Sequence, residues 1–61
     1  MAVDDPARPI TDEDRRAAVT TLRQAAEDGR LGPQDLDRRL AQVDQARLAG
    51  ELGAALAGIP P

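Results

Sequence analysis

Asp12, Glu13 and Asp14 are consecutive carboxylates and form the densest cluster of chemically capable side chains in this 61-residue chain. Such a cluster could hold a divalent cation or share a proton for acid-base catalysis. Consecutive residues of a helix point in different directions, however, and the stretch lacks the ligand spacing and glycine of a calcium loop. Acid-base work also needs a pocket that moves a pKa toward neutrality, which a chain this short has little means of building. Charge at the start of a helix is the better account of these three residues. The chain has no His and no Cys, so the usual transition-metal ligands, a thiol nucleophile and a disulfide are all absent. No catalytic residue, metal ligand, cofactor or small-molecule substrate is assigned, and the expectation is a protein that is not an enzyme.

Basic chemistry is carried by eight Arg and no Lys, against eleven Asp and Glu, for a net charge of -3. A nucleic-acid binder is expected to present a basic patch or stripe, and here every arginine cluster has acids interspersed. The competing reading is a small helix-turn-helix DNA-binding or transcription-related protein, because two helices flank a glycine-containing turn. Its recognition helix would offer Gln34, Asp35, Asp37, Arg38, Gln42 and Asp44 to the phosphates, and three of those six are acidic. Nucleic acid is therefore not the expected partner.

The elements that position these residues are three helical stretches. Thr11 is a good N-cap, Asp14 stands three residues on where a capping box usually has Glu or Gln, and the acids fill the first turn. Ala18, Val19, Leu22, Ala25 and Ala26 follow on one face, a thin stripe that allows close approach of another helix. The first helix should end at about Asp28, since Gly29 tolerates the left-handed conformation that closes a helix. Gly29, Leu31, Gly32, Pro33 and Leu36 then form the structural turn. Pro33 suits the first turn of a helix, which makes Gly32 the N-cap and gives Leu31 and Leu36 the spacing of a hydrophobic staple. The second helix runs from Pro33 to about Ala46 with Leu36, Leu40 and Val43 inward. Asp35, Asp37, Arg38, Arg39 and Asp44 fall on its other, solvated face, with Asp35 and Arg39 at pairing distance along the helix.

Leu48, Leu52, Ala55, Leu56 and Ile59 form a further stripe. At about 100° per residue it is displaced by roughly 130° from the one through Leu36, Leu40 and Val43. A break between about Ala46 and Gly50 follows, then a short helix that folds back and ends near Gly58. Residues 1–10 hold two prolines and no periodicity, which predicts a flexible N-terminal arm. The expected fold class is all-α, a small helical hairpin with a shorter third helix over residues 11–60.

The chain has no aromatic residue and only seven Leu, three Val and two Ile. A domain this small buries about 60% of its unfolded surface, so self-association or attachment to a larger chain is the remaining way to bury more. Leu48, Leu52, Leu56 and Ile59 are the candidate interface, because the terminal helix has the fewest obligations to the turn. No apolar run approaches the roughly 20 residues of a membrane span. With acids near the N-terminus and no signal peptide, the expected location is cytoplasmic.

These residues resemble the SHOCT-like domain of unknown function found in high-GC bacteria. The resemblance rests on the acidic capped start from Thr11 to Arg16, then Glu27-Asp28-Gly29-Arg30-Leu31, then Leu36-Asp37-Arg38-Arg39-Leu40, then Glu51-Leu52, Leu56 and the closing Ile59-Pro60. The family usually has Phe where this chain has Leu36, a Thr or Ser cap where it has Gly32, and Thr where it has Leu48. The resemblance implies a non-catalytic helical module. Such modules usually sit at the N-terminal, cytoplasmic side of a longer and often membrane-spanning protein. By analogy with related short domains, it also implies protein-protein interaction or oligomerisation.

Overall fold

The computed structural model describes residues 5–60 and folds them into three helices, α1 (Asp12–Glu27), α2 (Pro33–Gln45) and α3 (Ala49–Leu56). The all-α class and the three expected elements are present. Thr11 opens α1 with a full capping box: its Oγ1 accepts from the Asp14 N–H at 3.1 Å, and Asp14 Oδ2 accepts from the Thr11 N–H at 3.0 Å. At the other end Gly29 takes φ +77°, the Arg30 N–H donates to the Ala25 carbonyl at 2.8 Å and the Gly29 N–H to the Ala26 carbonyl at 3.1 Å. That pair of reversed bonds is a Schellman closure, and it satisfies carbonyls that would otherwise end the helix unpaired.

Gly32 is the extended N-cap of α2, with Pro33 at its first position. Leu31 is buried and Leu36 is half-buried against the same cluster, which agrees with the expected staple. Ala46 leaves the helix with an extended ψ of 139°, and this break lets the two displaced stripes face one core. That core consists of Ala18, Leu22 and Ala25 from α1, Leu31 from the turn, Val43 and Ala46 at the end of α2, and Leu52 and Ala55 from α3. Half of its members are alanines, so the helices pack through short side chains, and Leu22 and Val43 are the largest fully buried ones.

Arg39 differs from its sequence placement. It is 8% exposed rather than solvated, and its Nη1 donates to the Ala55 carbonyl at 3.1 Å while its Nε donates to Asp35 Oδ2 at 3.2 Å. The physical reason is that α3 ends with no basic residue in its own last turn, and Arg39 brings positive charge to the negative end of that helix. Arg15 does the same for α2, donating to the Asp44 and Ala46 carbonyls at 3.0 Å each and also to Val43.

The N-terminal segment also differs. Where a free arm is expected over residues 1–10, residues 6–10 lie against the start of α3. The Ala49 N–H donates to the Arg8 carbonyl at 2.8 Å, the Gly50 N–H to the Pro6 carbonyl at 2.9 Å, and the Ile10 N–H to the Arg47 carbonyl at 3.1 Å. Pro9 and Leu48 form an isolated antiparallel bridge. Residues 1–4 of the expected arm lie outside the described residues.

Candidate functional site

An open cleft of about 420 Å³ lies between α1 and α3. Ala17, Ala18 and Thr21 form its α1 wall, Leu52, Gly53 and Leu56 its α3 wall, and Pro6, Arg8 and Asp14 gather at one end. The opening follows from the sequence: alanine on α1 and glycine on α3 leave space where longer side chains would close the two helices over each other.

The polar groups of the cleft are already committed. Thr21 Oγ1 donates to the Ala17 carbonyl of its own helix at 3.0 Å. Arg8 Nη1 pairs with Asp14 Oδ2 at 2.9 Å. The Thr11 backbone N–H, and after it the Arg8 guanidinium, hold the Asp14 carboxyl below its ordinary value, which outweighs its partial desolvation. A carboxylate moved away from neutrality is a poor general base. The cleft is chemically suited to receive an apolar side chain, with one ion pair at its rim.

Two other carboxylates are shifted the same way. Asp35 is lowered chiefly by its hydrogen bond from Arg38, with Arg39 adding to it. Glu51 is lowered by the backbone N–H groups of Arg47 and Leu48, which its Oε1 accepts at 2.9 and 3.0 Å. Each of the three completes a helix start or a side-chain pair. Among the described residues no group of three or more Asp or Glu side chains is arranged to hold a metal ion, and no helix is long and apolar enough to cross a membrane.

The candidate interface residues are separated by the fold. Leu48 is 39% exposed, the exposed large apolar side chain among the described residues, whereas Leu52 is buried in the core. Leu56 and Ile59 are half-buried against it. Leu52 therefore belongs to the interior of this chain, because the break after α2 turns that side of α3 inward. Leu48, Leu56 and Ile59 retain exposed surface. Of the turn residues, Gly29 closes α1, Gly32 and Pro33 open α2, and Leu31 and Leu36 pack against the core. Sequence reading missed the cross-helix roles of Arg15 and Arg39. The signal for them was the lack of any basic residue in the last turns of α2 and α3. On α2, Arg38 is paired with Asp35 and Arg39 is buried, so this helix presents little unpaired positive charge to a phosphate backbone.

Comparison with known proteins adds one finding. The family model described as the DUF1707 SHOCT-like domain matches residues 10–60. No curated protein and no solved structure matches the chain.

Proposed function

The chain belongs to the DUF1707 SHOCT-like domain family, and from that premise we propose that it is a non-catalytic module for protein-protein interaction, acting first by self-association. The observation that carries this reading is the cleft between α1 and α3, an apolar depression of about 420 Å³ whose polar groups already have partners. Leu48 is the side chain available to enter such a cleft on a second copy, since it is large, apolar and exposed. Burying it would remove apolar surface from water at about 25 cal/mol per Å². The interspersed Asp and Arg residues would limit nonspecific association. In the cell this module would act as the cytoplasmic N-terminal domain of a larger protein, with a protein as its partner and no cofactor.

Sedimentation across a wide concentration range tests the proposal, with helicity followed on the same samples. The wild type is expected to gain mass with concentration, and Leu48→Asp to stay monomeric with its helical signal intact. Leu52→Asp is not the diagnostic variant, because Leu52 is a core residue and its loss would unfold the chain. A wild-type monomer at every concentration would refute self-association and direct the search to a heterologous protein.

A further inference from the structure

A helix start needs acceptors for its first N–H groups, and α3 has none at its N-cap, because Leu48 offers no side-chain oxygen. The chain supplies the missing acceptors from the far end of its sequence. The Arg8 and Pro6 carbonyls take the Ala49 and Gly50 N–H groups, while Glu51 reaches back to the Arg47 and Leu48 N–H groups. The approach is close: a Cβ on Gly50 would lie 3.0 Å from Pro6 Cβ and 3.2 Å from the Pro6 carbonyl oxygen. Two further contacts fix the segment, the Ile10 bond to Arg47, which with the Ala49 bond to Arg8 makes the bridge between Pro9 and Leu48, and the ion pair of Arg8 with Asp14. Residues 6–9 are exposed and Ile10 is half-buried against the core, so the attachment rests on backbone hydrogen bonds, one ion pair and the Ile10 side chain, with two prolines that restrict the unbound chain.

The geometry points to a strap. Residues 6–10 form a releasable N-terminal cap for α3, and the order of the first turn of α3, together with closure of that end of the cleft, depends on the strap being docked. Residues 6–9 precede the stretch that the family model matches, so this device belongs to the segment that enters the domain rather than to the three-helix unit itself. Whatever engages that segment would loosen α3 and open the Pro6 end of the cleft, leaving the α1–α2 hairpin in place. The inference does not depend on self-association, since its readout lies within a single chain.

Amide hydrogen exchange followed by nuclear magnetic resonance tests it in the full chain at a concentration where sedimentation shows a monomer. Gly50→Ala places a methyl group against Pro6, whereas Gly53→Ala, in the same helix, meets nothing within 4 Å. Gly53→Ala therefore serves both as control and as a stabilising background if Gly50→Ala alone folds poorly. In Gly50→Ala/Gly53→Ala, protection of the Ile10 and Ala49 amides is expected to fall by about tenfold or more relative to Gly53→Ala, while Leu22 and Val43 keep theirs. Unchanged protection at Ile10 and Ala49 would overturn the strap. So would loss of protection at Leu22 and Val43 in equal measure, because the segment would then be an inseparable part of one cooperative unit.

Discussion

Removing the guanidinium of Arg39 is the sharpest perturbation the structure offers. The side chain is 8% exposed and joins the middle of α2 to the end of α3 through the Ala55 and Ala57 carbonyls, with Asp35 balancing its charge. Hydrogen bonds to a charged donor contribute about 1.5 to 3 kcal/mol each. The Asp35 contact belongs at or below the lower end of that range, because Asp35 is one-third exposed. Water can reach the exposed Ala57 in the variant but not the fully buried Ala55. The expected cost of Arg39→Ala is therefore about 3 kcal/mol, part of it from lost contact along the side-chain stem. A domain of this length has a total stability of roughly 3 to 9 kcal/mol, so the variant should lose at least about a third of it. Urea titration followed by far-ultraviolet circular dichroism measures this. Arg38→Ala is the companion, since that side chain is 68% exposed and its loss should stay within about 0.5 kcal/mol. Equal losses in the two variants, or a loss below about 1 kcal/mol for Arg39→Ala, would refute the assignment of Arg39 as the clasp between α2 and α3.

Acid should destabilise the fold in a defined direction. Asp14, Asp35 and Glu51 are held below ordinary values of 3.8, 3.8 and 4.5 in the folded chain, so the stability they contribute is fully present above those values and is lost as pH falls through the folded pKa values. The urea midpoint should be level between pH 7 and about 5 and fall below that, and a midpoint that rose on acidification would contradict the three assignments. Two glycine substitutions should move stability in opposite directions. Gly53→Ala faces open space within α3 and should gain up to about 1 kcal/mol, whereas Gly29→Ala must hold φ +77° and should lose about 1 to 2 kcal/mol. The same titration compares them, and a gain for Gly29→Ala would remove the left-handed closure from the account of α1.

The parts legible in the sequence were those with local causes. Thr11 and Asp14 cap a helix within four residues, Gly29 and Pro33 bracket a turn, and the 130° displacement of one apolar stripe from the next forces a break. Each of these is decided by a neighbour a few positions away. The sequence puts Arg39 on a solvated face because the pattern along α2 shows its acidic partner Asp35 but not the end of α3. The attachment of the N-terminal segment is hidden for the same reason, since its acceptors serve donors at the start of α3, about 40 residues on. The candidate interface was legible in part. Periodicity grouped Leu48, Leu52, Leu56 and Ile59, yet only the path of the chain through Ala46 to Leu48 determines that Leu52 faces inward and Leu48 outward.

The contact of Pro6 and Arg8 with the start of α3 also sets an order of events in folding. Closing a loop costs entropy that grows with the logarithm of its length, and this loop, from Arg8 to Ala49, spans about two thirds of the chain. The α1–α2 hairpin, joined by a short turn, can close first on Leu22 and Val43. Helix α3 is too short to persist alone, so it must wait for that surface, and the N-terminal segment can attach only once the first turn of α3 exists to receive it. The transition state for folding should then be structured around the hairpin, with α3 and the segment joining on the downhill side. Interactions formed so late slow unfolding without speeding folding, so variants that loosen α3 or residues 6–10 should shorten the life of the folded state while leaving its rate of formation nearly unchanged.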